Sequence, residues 1–127
     1  MHPNEQLLRD ADDAQMRGDV EAFMGFYTDD IVVHISGSSS LAGDHRGREA
    51  FAKLFATFME RAPDFSFEPH AYLADDEHGV LLQRSHYRRG SDGVDMDDVF
   101  VFHFRGGKIS EFWLRPEDQS ELDRFLG

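Results

Sequence analysis

Asp98 stands at the head of the run Val99-Phe100-Val101-Phe102, where a carboxylate enters an otherwise apolar strand. Burial penalises the charged form, raises the pKa and suits the group to general acid or base work near neutral pH. The plainer alternative makes Asp95, Asp97 and Asp98 a solvated strand end. His34, inside the β-branched run Ile31-Val32-Val33-His34-Ile35, is the second proton-transfer candidate. Its alternative is a structural hydrogen bond near Asp29 or Asp30. His86 and His103 also fall on extended segments, and His45 and His70 sit in or beside loops. No two histidines stand at HxH or HxxxH spacing and there is no cysteine, so no metal site is expected. Cysteine nucleophiles and disulfides are likewise excluded, and no GxSxG elbow is present. Arg84, Arg88 and Arg89 form a basic cluster that can bind a carboxylate ligand, or pair with Asp95 and Asp97 across a hairpin; the second is favoured.

These side chains must be positioned by one domain, because 127 residues suffice for a single core. The formal charge of −12 disfavours nucleic acid and anionic membrane surfaces as partners. No apolar run approaches the ~20 residues of a bilayer span. The first residues, Met1-His2-Pro3-Asn4-Glu5, lack a basic then apolar leader, so a cytoplasmic location is expected. No phosphate-cradling glycine loop opens a helix, and no cofactor is expected.

Leu7, Leu8, Ala11 and Ala14 repeat at helical spacing from Asn4 or Glu5 to a stop at Gly18. Asp19 can cap a short helix carrying Val20, Phe23, Met24 and Tyr27. A strand at 31–35 and a polar loop at 36–47 follow. Phe51, Leu54, Phe55, Phe58 and Met59 then make an amphipathic stripe that Pro63 ends. The second half reads as four long strands, at 65–74, 80–89, 94–104 and 108–114, joined in part by glycine turns. Pro116 can open a last helix with Leu122, Phe125 and Leu126 inward. The fold class is α+β: a curved antiparallel sheet packed with three N-terminal helices into a cone.

A cone encloses a small-molecule pocket. Alternation along the strands aims Val33, Ile35, Leu81, Gln83, Ser85, Tyr87, Phe100, Phe102, Phe112 and Leu114 into it, with Asp98 on the same face. Phe55, Phe58 and Met59 close it from the helix. That wall suits a flat, small apolar molecule held by a few hydrogen bonds. The opposite face, with Val99, Val101 and His103, is expected to meet a second copy in a homodimer.

Seven segments carry a further signal in their order and spacing: Gly18-Asp19-Val20-Glu21-Ala22-Phe23, Phe26-Tyr27-Thr28-Asp29-Asp30-Ile31, Leu41-Ala42-Gly43, Arg46-Gly47-Arg48-Glu49-Ala50-Phe51, Phe102-His103-Phe104, Gly107-Lys108-Ile109 and Glu111-Phe112-Trp113. With them the chain resembles the nuclear transport factor 2-like superfamily of cystatin-like α+β barrels, which includes ketosteroid isomerase and the SnoaL-like polyketide cyclases. That resemblance implies the cone and its pocket over nearly the whole chain. The resemblance implies that the catalytic aspartate of ketosteroid isomerase falls at Ile35, the tyrosine near Ala11 and the second acid near Phe100, so all three are missing, although Asp98 lies two residues from the last. The Asp–Arg–Asp set of limonene epoxide hydrolase-like enzymes falls near Gln83, Leu81 and Leu114 and is missing too. Cyclases of the SnoaL-like group often carry an acid on the last strand, where Phe112 and Leu114 stand.

Two functions follow. One is a cofactor-independent isomerase, dehydratase or cyclase working by acid–base chemistry, with Asp98 as the proton-transfer group and Gln83, Tyr87 or His34 as helpers. The other is a non-catalytic ligand-binding or dimerisation module on the same scaffold.

Overall fold

A computed structural model describes all 127 residues. Helix α1 runs from Pro3 to Met16, with proline in its first turn and the His2 ring accepting the Asn4 amide at 3.0 Å. Gly18 takes φ 71°, the left-handed turn that lets the chain reverse. The Asp19 carboxylate then accepts the Ala22 amide at 3.1 Å and starts α2, Val20–Met24. Strand β1 spans Tyr27–Ile35, β2 Gly43–Arg46, α3 Arg48–Arg61 and β3 Ser66–Ala74. Strands β4 (His78–Arg89), β5 (Asp92–Arg105) and β6 (Lys108–Pro116) precede α4, Gln119–Leu126.

Three boundaries differ from the sequence reading. Tyr27 opens β1 instead of closing α2, because Gly25 caps that helix after five residues. The polar loop contains β2, whose Gly43–Arg46 pair antiparallel with Val32–Ile35; its residues carry no apolar alternation, so only pairing reveals it. Pro116 ends β6 opposite Asp98, and the last helix starts two residues beyond it at an Asp118 cap.

The six strands form one sheet in the order β2-β1-β6-β5-β4-β3. All neighbours are antiparallel except β1 and β6, which run parallel. Register shifts at Pro69/Ala71 and at His103/Phe104 add residues on one strand and bend the sheet. The helices bury Leu8, Ala11, Ala14, Phe23, Phe51, Leu54, Leu122, Phe125 and Leu126 against its concave face. That face also presents Val33, Leu81, Phe102, Phe112 and Leu114, and the two sets make one core.

Candidate functional site

The core is not filled. A cavity of about 140 Å³ lies between the sheet and the helices. Val33 and Ile35 of β1 line it, with Leu81, Gln83 and Tyr87 of β4, Phe100 and Phe102 of β5, and Phe112 and Leu114 of β6. Phe55 and Phe58 of α3 close it from above. Strand alternation therefore aims these side chains as their positions in the sequence imply. Two expected wall residues lie elsewhere. Met59 is 37 % exposed and borders a separate depression, because it stands one step past Phe58 on the outer side of α3. Ser85 is wholly buried beneath the wall, where it accepts the Gln83 amide N–H at 2.9 Å.

Aromatic rings around the cavity fall into two sets. Phe23, Tyr27, Phe51, Phe55, Phe100, Phe102, Phe104 and Phe112 are linked through mutual contacts, beginning with Phe23 and Tyr27 at 5.1 Å between centroids. Phe58, Phe65, Phe67, Tyr87 and Phe125 make the second set. No ring contact joins them, and members of both sets line the cavity.

Asp98 does not line that space. It is 1 % exposed and sits behind the end wall, where its carboxylate accepts the Tyr87 hydroxyl. Desolvation raises its pKa, against lowering by hydrogen bonds from Tyr87 and Ser85. One of its oxygens, Oδ1, has no partner. Asp98 is buried and its pKa is raised, but it is not among the residues lining the cavity, whereas Tyr87, which bonds it, is. Asp98 supports Tyr87 from behind it.

His34 lies on the opposite side of the sheet. It is stacked on Trp113, with ring centroids 4.8 Å apart. Its Nδ1 bonds Asp44 at 2.7 Å and its Nε2 bonds Glu111 at 2.6 Å. Desolvation opposes its protonation, but the two carboxylates win and the pKa is raised. His34 therefore points away from the cavity, as alternation beside inward Val33 and Ile35 implies, and its hydrogen bonds are those of a structural residue. His103 lies on the same outer face and reaches Glu111 at 3.2 Å, while His86 bridges Asp95 and Glu68. His45 bonds the Leu41 carbonyl at 2.9 Å and His70 is exposed. Arg84 pairs with Asp97 at 3.3 Å and Arg88 with Asp95 at 2.5 Å, as the hairpin reading expects.

The carboxylate that does line the cavity is Asp12, on α1. Tyr72, on β3, donates its hydroxyl to Asp12 Oδ2 at 2.6 Å. The Arg9 guanidinium packs 4.5 Å above the Tyr72 ring and fixes it in turn. Burial pushes the Asp12 pKa up from 3.8 to about 6, and the Tyr72 bond limits the rise. Gln15, one helical turn on, also faces the cavity. Across from them Tyr27 lines the wall, and its hydroxyl makes no hydrogen bond within the chain. Burial first, and the charge of Asp12 second, raise the Tyr27 pKa, so this hydroxyl stays a neutral donor.

Asp12 was absent from the sequence reading because only apolar side chains were followed along α1. Leu8, Asp12 and Gln15 are spaced four and seven apart, which places them on one stripe. That spacing was the available signal. The resulting set is a poised carboxyl, a free hydroxyl and an amide in an apolar enclosure. It can accept a proton from a ligand carbon or oxygen and donate a hydrogen bond to the charge that develops.

Solved structures share this architecture. Bal32a, from a soil-derived mobile gene cassette, is 25 % identical with a TM-score of 0.91, over 98 % of this chain and 97 % of its own. An NTF2-like protein from Burkholderia xenovorans LB400 is 27 % identical with a TM-score of 0.80, over 98 % and 96 %. A Mycobacterium tuberculosis protein, solved in complex with estradiol-17beta-hemisuccinate, shares the fold at 16 % identity and a TM-score of 0.76, over 90 % and 93 %. No curated protein sequence matches the chain. The family model of the SnoaL-like domain matches residues 8–112, and the chain belongs to that family within the NTF2-like fold.

Proposed function

We propose that the protein binds a small apolar, ring-shaped molecule bearing an oxygen function and moves a proton on it without a cofactor. The observation that carries this reading is the Asp12 side chain, an ionisable group set into the wall of an otherwise largely apolar cavity. In the ionised form Asp12 takes a proton from the carbon next to a ligand carbonyl. The electron pair of that C–H bond moves to the carbonyl oxygen, and the Tyr27 hydroxyl donates a hydrogen bond to the resulting enolate. Asp12 then returns the proton to the same carbon, which exchanges it, or to another carbon, which isomerises the ligand. Tyr72 holds the carboxylate in place throughout. The steroid-like ligand of the Mycobacterium tuberculosis relative supports an apolar ring as the class.

The experiment is exchange of the α-protons of cyclohexanone for deuterium in D₂O, followed by proton NMR. Wild type accelerates exchange above buffer, and Asp12→Asn loses roughly 10²-fold or more of that acceleration. Exchange at the buffer rate, or exchange unaffected by Asp12→Asn, contradicts the reading. Binding without turnover is the second reading. It is favoured by the 2.6 Å Tyr72 bond, which alone suffices to explain a buried Asp12 as structural. Ligand binding with background exchange selects it.

A second copy of the chain is the partner proposed for the convex face of the sheet. Val80, Leu82, Val99, Val101 and Trp113 are contiguous there by strand register and only partly buried. Ion pairs of both signs border them, Arg84–Asp97 on one side and His34–Glu111 on the other, so the patch is self-complementary in charge.

A further inference from the structure

The second depression on the molecule has a volume of about 320 Å³, larger than the inner cavity. It lies where the α1–α2 turn, α3 and the start of β3 meet. Gln15, Phe23, Phe55 and Phe65 line both spaces, so the two share a wall. Phe55 belongs to one of the two aromatic sets and Phe65 to the other, with no ring contact between them. The rings of Phe55 and Phe65 therefore do not pack on each other across the shared wall, which Gln15 also lines.

The rim is unusual in composition. The chain exposes five large hydrophobic side chains, and three of them, Met16, Val20 and Met59, line this depression. They are 55 %, 52 % and 37 % exposed. They come from three different helices, α1, α2 and α3, so no single amphipathic stripe accounts for their convergence. Methionine side chains adapt to apolar partners of irregular shape.

Size decides what occupies such a space. An apolar cavity of about 150 Å³ holds one benzene-sized ring. The inner cavity, at about 140 Å³, matches one such ring. Ligand sites for larger molecules span about 300–1,000 Å³, a range the inner cavity reaches only together with the outer depression.

Building on the reading of the inner cavity as a ring-binding site, we propose that the outer depression seats a flexible alkyl chain of the same ligand. The chain passes between Phe55 and Phe65 and lies against Met16, Val20 and Met59. Asp12 and Gln15 are one helical turn apart on α1, so the chain leaves the ring close to its oxygen function. The ligand class is a ring with an oxygen function and an adjacent alkyl substituent, an amphiphile.

The test is binding of cyclohexanone and its 2-propyl, 2-pentyl and 2-heptyl derivatives, measured by calorimetry on the whole protein. Affinity rises about fourfold for each methylene that becomes buried, continuing beyond propyl. Met59→Gln and Val20→Thr keep side-chain volume but remove apolar surface, and each reduces the gain of heptyl over propyl severalfold. A series that is flat from propyl onward overturns this inference while leaving the ring site intact. A chain-length gain unchanged in both variants also overturns it. Failure of every member, cyclohexanone included, overturns the ring-site reading and this one together. If the depression instead seats a second copy, sedimentation shows an association weakened by Met59→Gln with no chain-length effect, which again overturns the proposal.

Discussion

Replacing Asp12 by Asn separates the two things its burial does. Asp12 titrates at about 6 in the folded protein against an ordinary 3.8, chiefly because burial removes water from the carboxylate. The folded state therefore holds the proton more tightly than the unfolded chain. Its contribution is most favourable below the ordinary value and is lost as pH rises through about 6. At about 1.4 kcal/mol for each tenfold step in proton affinity, the ionised form costs about 3 kcal/mol at pH 7.5. Asn cannot ionise, and its amide oxygen can still accept the Tyr72 hydroxyl. The variant is thus expected to be more stable than wild type by about 2–3 kcal/mol at pH 7.5 and nearly equal to it at pH 4. Every other titratable group is common to both proteins, so the difference isolates Asp12. Urea unfolding followed by the fluorescence of the single tryptophan, Trp113, measures it at each pH. A stability difference that does not change between pH 4 and 7.5 would refute the claim that this carboxylate is desolvated. The same variant is expected to lose proton transfer, so stability and activity move in opposite directions.

Further outcomes follow from the same geometry. Tyr87→Phe removes the hydroxyl that Asp98 accepts and leaves a second carboxylate oxygen poorly satisfied; urea unfolding shows a loss of about 1–3 kcal/mol, and an unchanged midpoint contradicts the buried pairing. Tyr27→Phe deletes a hydroxyl with no partner in the chain, so stability stays within about 1 kcal/mol while deuterium exchange slows by roughly 10²-fold; an unaltered exchange rate removes Tyr27 from the site. His34 has a raised pKa, so its pairs with Glu111 and Asp44 contribute stability below 6.5 that is lost as pH rises through the raised value. His34→Gln flattens that pH dependence, and thermal melts at pH 6 and 8 that keep the wild-type slope speak against it. Val101→Glu on the convex face converts a wild-type dimer to monomer in sedimentation at micromolar concentration, and a monomeric wild type contradicts the dimer.

Much of the architecture was legible because it rests on periodicity. The stripe Phe51, Leu54, Phe55, Phe58 has one helical solution, and alternation along β4 to β6 has one face. Both faces of β5 carry apolar residues, which marks the strand as central, and it is. What escaped detection depends on partners distant in sequence. Gly43–Arg46 becomes a strand only because β1 offers a free edge. Asp98 looks catalytic because its strand is apolar, but its partner is the Tyr87 hydroxyl, eleven residues away, and Tyr87 rather than Asp98 lines the cavity. Asp12 stood in view on α1, but its role comes from Tyr72, sixty residues on. Polar residues on an inward stripe merit the same attention as apolar ones.

The central claim is that the Asp12 carboxylate exchanges protons with a ligand in the cavity. The pH dependence of cyclohexanone α-deuteration tests it most directly. The protein-catalysed rate should be low at pH 4, climb through about 6 as Asp12 ionises, level off above 7, and vanish in Asp12→Asn. A rate that ignores pH across this interval, or that persists with asparagine in place, contradicts the account.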